Sequence, residues 1–319
     1  MTPGLTWTPR HLLLGALFAL PALVAAPFDS RLAMVLAIGV LPAAAIGLPA
    51  KRSARVRYLV VGLAIALGMV IGAVISGSPW LALVVLFAAC VGAAQFSGRG
   101  PVGALVLALG VPMIGVGLSF DDVPTAFTAG AAILLGCVWS LAVALLWPER
   151  EVAPHPSTAS ASDSMLGFGI RLALAATIAA GIGYLLGLDH VGWAVGAALF
   201  VMRPSAALLA SRALARAASV LTGAAIAGAF MLTTPPGWAM GLAALAILAV
   251  LTALAGSRWY VTGGFSTMLV FLLLLDSDPA DVAHRFWERS LETLLGVGLA
   301  LVFGLLVPWA ARLLRTRGG

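Results

Sequence analysis

The chain is a succession of apolar runs separated by short polar breaks. Twelve runs stand out, at about 12–26, 32–50, 58–76, 79–95, 101–118, 126–147, 166–187, 191–210, 214–233, 238–256, 259–275 and 286–308. Each is continuous rather than alternating, which predicts helices and argues against the strands of a membrane barrel. Several are shorter than the ~20 residues a helix needs to cross a ~30 Å hydrocarbon core, so broken or partly spanning helices are expected among them. The expected fold class is therefore all-α, a polytopic membrane protein of about twelve transmembrane helices.

Charge alternates between the breaks. Lys51, Arg52, Arg55 and Arg57 lie between the second and third runs, and Arg99 between the fourth and fifth. Arg212 lies between the eighth and ninth runs, with Arg216 just inside the ninth; Arg258 lies between the tenth and eleventh; Arg312, Arg315 and Arg317 follow the twelfth. The intervening breaks carry Asp29, Asp121, Asp122, Asp189, Asp276, Asp278 and Asp281. The positive-inside rule then predicts both termini in the cytoplasm. Arg31, Arg285 and Arg289 depart from the alternation, each with an acidic neighbour. Arg10 leads the first run, which reads as an uncleaved anchor because no small-residue cleavage site follows it. Residues 149–164, "EREVAPHPSTASASDS", read as a flexible cytoplasmic linker, rich in Pro, Ser and charge.

Composition sharpens this picture. The chain is 62% hydrophobic and 9% charged, against roughly 25% charged in soluble domains. Its net charge of +6 is a topology signal and does not point to nucleic acid. Cys90 and Cys137 both lie inside apolar runs, which excludes a disulfide framework or a zinc site. No Ser–His–Asp constellation, Walker loop or dinucleotide fingerprint stands in a credible context, so neither an enzyme nor a cofactor is expected.

The two halves read as copies. "LLGCVWSLAVALLWP" (134–148) aligns with "LLGVGLALVFGLLVP" (294–308) at an offset of 160. At offsets of 160 to 162, Arg10 pairs with Arg171, Pro42 with Pro204, Arg52 with Arg212, Arg55 with Arg216, Gly62 with Gly223 and Asp121 with Asp281. The expected organisation is a first six-helix repeat at 1–148, the linker at 149–164 and a second repeat at 165–319. An even span count makes the repeats parallel, a transporter plan with its site at the repeat interface. The repeat is also an internal control: a residue present in both copies serves fold or orientation, and a polar residue in one copy is a better candidate for function. Arg171, Arg212 and Arg216 have counterparts and read mostly as cytoplasmic anchors.

Arg203 aligns with Leu41, so its proline is shared and its charge is not. It lies twelve residues after Val191, or about 18 Å down a helix, in the inner half of the core. Pro204 cannot donate a backbone bond and disfavours helical geometry at Arg203. A broken helix beside a cation suits an organic anion; the alternative is an arginine that snorkels to headgroups. On the last run, Arg285, Glu288, Arg289 and Glu292 share a helical face and align with uncharged residues. Glu292 falls roughly two turns into the apolar zone, with Arg289 as its expected partner. These groups read either as a proton-coupling carboxylate in a polar pathway or as a buried ion-paired stripe. "DSDPAD" (276–281) reads as a solvated acidic loop more readily than a metal site, and no metal is expected. Trp193 reads as an interface aromatic.

Residues 165–310 resemble the FUSC family of fusaric-acid-resistance-like and aromatic-acid-exporter membrane proteins. The matching features are Arg171, Trp193, the Arg203-Pro204-Ser205 turn, Arg216 with Thr222 and Gly223, and Arg289 with Thr293, Gly296 and Pro308. The resemblance implies a multi-pass bacterial inner-membrane exporter of weak organic and aromatic acids. The site residues expected are then Arg203, Pro204, Arg171 and Trp193 on the substrate, and Glu288, Arg289 and Glu292 on the pathway. The expected partners are a small organic anion and the lipid bilayer, with a homo-oligomer allowed. A non-transporting membrane scaffold is the alternative from a different class.

Overall fold

The computed structural model describes residues 6–98, 100–120, 122–150, 165–203, 209–257, 260–277, 282–310 and 313. Among them all regular structure is helical. Most of the expected linker (151–164), Pro204 and Ser205 lie outside the described residues, as do Arg99, Asp121, Arg258, Asp278, Asp281, Arg312, Arg315 and Arg317.

The first half holds α1 (Arg10–Ala25), α2 (Ser30–Ile46), the single turn α3 (Arg52–Arg55), α4 (Arg57–Ser76), α5 (Pro79–Ser97), α6 (Pro101–Leu105), α7 (Val111–Gly117) and α8 (Val123–Leu145). A π-helical turn, Val106–Gly110, joins α6 to α7. The second half holds α9 (Met165–Leu186), α10 (Val191–Val201), α11 (Leu209–Met231), α12 (Gly237–Ala253), α13 (Tyr260–Ser277) and α14 (Val282–Leu301). Six helices among the described residues are long and apolar enough to cross a membrane. They fall at 52–76, 79–97, 123–145, 165–186, 209–231 and 282–310. Six further apolar helices are shorter, as the short runs in the sequence anticipate.

The helices gather into two compact units. Unit 1 comprises residues 1–63, 128–157 and 218–289, and unit 2 comprises 64–127, 158–217 and 290–319. Each unit draws on both halves of the chain. In unit 1, α1 lies against α2 and α12, and α2 lies against α12 and α13. In unit 2, α9 lies against α5 and α10, and α10 lies against α7.

Small residues set these approaches. A Cβ on Gly15 of α1 would come within 2.6 Å of Ala249 Cα and the Leu248 carbonyl of α12. In unit 1 a Cβ on Gly136 of α8 would overlap the backbone of Gly39 in α2. In unit 2 a Cβ on Gly296 of α14 would overlap the Ala194 carbonyl of α10 and stand 2.8 Å from the Ala197 Cβ. Lipid tails are as apolar as leucine, so such close packing is a main source of helix association in a bilayer.

Candidate functional site

The core of unit 2 is α10, "VGWAVGAALFV", which is apolar on every side and buried at all residues from Val191 to Leu199 and at Val201. An all-round apolar helix belongs inside protein. At 11 residues it is about 16 Å long, half a membrane crossing. Its ends therefore fall among protein groups, which must satisfy its free backbone donors and acceptors. At the start, Ser119 Oγ accepts from the Gly192 amide at 2.9 Å. At the end, Met202 turns extended, with φ −65° and ψ 135°. Arg203 Nη1 then donates to the carbonyls of Met202 at 2.8 Å and Leu199 at 3.4 Å. A cation at a helix C-terminus also meets the negative end of the backbone dipoles. Nη1 is thus committed to the helix, while Nε and Nη2, on one edge of the guanidinium, hold no acceptor among the described residues.

The helix break at this point is not common to both halves. The pairing of Pro42 with Pro204 predicts a shared break, yet α2 runs on through Pro42 to Ile46. Proline alone can be carried inside a helix at the cost of one bond. The second half differs by placing Arg203 before its proline, and there α10 stops at Val201. The eighth apolar run is consequently a short helix, and α11 starts again at Leu209.

Three other expected site residues belong to unit 2. Arg171 is half-buried in α9, with Nε donating to the Gly167 carbonyl at 3.2 Å. Trp193 is buried, 6% exposed, with its ring stacked on His190 at 4.1 Å and 16°. It is not an interface aromatic, because α10 has no lipid-facing side. It also stands ten residues from Arg203, about 15 Å along the helix. Glu292 is buried in α14, 2% exposed. It lies one turn before Gly296 on the face that meets α10, beside buried Ser290 and Thr293.

Glu288 and Arg289 fall within the residues of unit 1. On that face Arg285 Nη1 pairs with Glu288 Oε2 at 3.1 Å. The sequence points to Arg289 as the partner of Glu292; the ion pair described on this stripe is Arg285–Glu288, at i, i+3, where long side chains reach each other across one turn.

Sequence pattern places Arg55 and Arg216 with the cytoplasmic charges and does not single out His11. Arg55 is fully buried and closes the end of α8. Its Nη1 donates to Ala144 O at 2.6 Å and Trp147 O at 2.8 Å, Nη2 to Pro148 O at 3.0 Å and Nε to Pro49 O at 3.2 Å. Its counterpart Arg216 is also buried, with its guanidinium 5.0 Å from the centre of the Phe200 ring. Neither is a headgroup anchor: a run of arginines at a helix entrance looks the same in sequence whether it faces phosphate or carbonyls. His11 is buried in α1 of unit 1, a lone histidine that no spacing rule singles out. Unit 1 also carries an apolar groove of about 550 Å³ beside Leu20, Pro21, Val24, Phe28 and Trp139. No cation lines it, so it is no match for an anion.

A chain whose described residues form only helices, six of them apolar and membrane-length, packed through glycine and alanine, defines a polytopic helical membrane protein. Residues 178–303 match the family described as fusaric acid resistance protein-like, so the resemblance read from the second half holds over that segment. The match includes α10, Arg203 and Glu292 and begins after Arg171. None of the curated proteins or solved structures compared with the chain matches it.

Proposed function

We propose that the protein is a multi-pass transporter of the bacterial inner membrane that exports organic anions, aromatic or other weak-acid carboxylates, by a proton-coupled or channel-like route. The observation that carries this reading is the end of α10. A half-length helix stops inside unit 2 and presents a half-buried arginine whose Nε and Nη2 edge holds no acceptor among the described residues. That edge is a planar fork suited to two parallel bonds with a carboxylate. Arg171 assists from α9, Pro204 holds the turn, and Trp193 with His190 lines the far end of α10. Glu292, on the α14 face that meets α10, carries the coupling proton, with Glu288 and Arg289 one turn earlier on the route. With both termini cytoplasmic, a negative interior favours outward movement of an anion by about 2.3 kcal/mol per charge per 100 mV.

Helix partnerships support the two-repeat plan within this reading. The α1–α12 and α2–α13 contacts of unit 1 correspond, at the sequence offset, to α9–α5 and α10–α7 in unit 2. The packing of Gly136 of α8 against α2 and of Gly296 of α14 against α10 corresponds in the same way.

The test is efflux of a panel of aromatic and aliphatic carboxylates from proteoliposomes. Arg203→Gln keeps a donor for the α10 carbonyls and removes the charge, and it should lower flux roughly ten- to a hundredfold, as loss of one charge-assisted fork does. Arg203→Lys should recover part of the loss. Equal flux in wild type, Gln and Lys variants overturns the role of Arg203. Absence of wild-type flux for every anion, with a co-purifying protein, favours the scaffold alternative and overturns the exporter.

A further inference from the structure

His11 is 7% exposed, and neither of its ring nitrogens has a hydrogen-bond partner. It occupies the first turn of α1, one turn before Gly15, where α1 meets α12 at backbone distance. The Thr252 carbonyl lies beside the ring without hydrogen-bond geometry. The imidazole thus abuts the last turn of α12, which ends at Ala253. The approach to α1 is pinned to the same place. Thr8 N donates to Ala253 O at 2.9 Å, Thr6 N donates to Ser257 Oγ at 2.9 Å, and Ser257 Oγ donates to Thr6 O at 3.1 Å.

A neutral imidazole carries one donor and one acceptor, and leaving both unmet in the interior costs about 1–3 kcal/mol each. The elements around α1 offer the ring little charge. α12 holds no titratable side chain, α2 holds only Arg31 on its first turn at the other end of α1, and α8 holds only Cys137. Tyr58 of α4 meets α1 at Phe18, two turns further on. Arg150 is the cation whose field reaches the ring, and Arg10 beside it is exposed. The position 161 residues on is Leu172, buried in α9, so the imidazole belongs to one half of the chain alone.

We propose that His11 is a proton-binding site at the seam between α1 and α12. A proton from water at the Arg10 end adds to the bare ring nitrogen and leaves by the same route, with no other bond made or broken. Burial, the Arg150 cation and the amide end of α1 oppose charge on the ring, while the two N–H donors of the imidazolium face the carbonyl end of α12, where aligned backbone dipoles concentrate negative charge; proton uptake is therefore shifted to lower pH and not abolished. Proton occupancy therefore alters how tightly the first turn of α1 sits on α12. Under the exporter reading this provides a second proton site, in unit 1, apart from Glu292; proton binding itself does not rest on that reading.

The test uses the full chain in nanodiscs with isotopically labelled histidine. The chain has four histidines, so the His11 ring signal is assigned by its loss in His11→Leu, which copies the apolar residue of the other half, or in His11→Gln should the leucine variant fail to fold. The wild-type His11 signal should move from the neutral to the charged position as pH falls from about 8 to about 5. In proteoliposomes the ratio of anion flux at the two ends of that range should move toward one in the variant without vanishing, because Glu292 still titrates. A His11 signal that stays neutral throughout overturns the proposal whether or not anions are transported. A titrating signal with an unchanged flux ratio overturns its part in coupling and leaves the anion path to the Arg203 variants.

Discussion

The indole Nε1 of Trp139 on α8 donates to the carbonyl of Leu17 on α1 at 3.1 Å. That carbonyl is the one Pro21, four residues on, cannot serve, because proline has no N–H. A break in the ladder of one helix is thereby mended by a side chain from another. Trp139→Phe should lower stability by about 1–2 kcal/mol, the cost of an orphaned acceptor away from water. Pro21→Ala restores the helical donor, so the double variant should lose much less than Trp139→Phe alone. Denaturant unfolding in mixed micelles measures the cycle, and equal losses in single and double variants would remove the compensation.

Arg55 makes four carbonyl contacts and has no exposed surface. Arg55→Ala should cost about 3–5 kcal/mol, since the carbonyls of Trp147, Pro148 and Pro49 lose the guanidinium, while the Ala144 carbonyl keeps the Trp147 amide at 2.9 Å. Arg55→Lys should cost less, because a single ammonium still reaches some of them. Thermal unfolding monitored by circular dichroism separates the two; a loss under about 1 kcal/mol for the alanine variant would show that water takes over.

Gly296 and Gly298 stand two residues apart on α14 with opposite surroundings. A side chain at Gly296 meets α10, and one at Gly298 meets nothing within 4 Å. Gly298→Ala should be neutral or stabilising by up to about 1 kcal/mol, through helix propensity alone. Gly296→Ala should destabilise by about 1–3 kcal/mol, through forced separation from Ala194 and Ala197. The ordering of melting temperatures decides it, and a tie would mean that α14 does not rest on α10.

Much of the fold was written in hydropathy. Among the described residues every apolar run is mainly helical, because a backbone in hydrocarbon has no other way to satisfy itself within one segment. The eighth run was overextended because Met202 is apolar like the helix before it, and only its backbone geometry records the end of α10. Proline marked that break and also marked positions 21 and 42, where the helices run on. The interleaving of α1 with α12 and α9 with α5 could not be read, since a repeat tells which segments are alike and not which ones touch. Of the candidate site, the asymmetry of Arg203 was legible, while its service to the α10 carbonyls was not. Trp193 was misplaced because a tryptophan near a span boundary looks alike whether its helix faces lipid or protein. His11 passed unnoticed for the opposite reason: it has no neighbouring polar pattern at all.

The interleaved units have a consequence for biogenesis. A ribosome that has released residues 1–148 has delivered α1 and α2 to the bilayer, yet α12 and α13, on which they rest, are still unmade. The unit built around α10 also waits for the end of α14. Neither half of the chain can mature by itself, although domains commonly complete in order as they emerge. The faces of α1 and α2 that await α12 and α13 must be kept from wrong partners until translation is almost over.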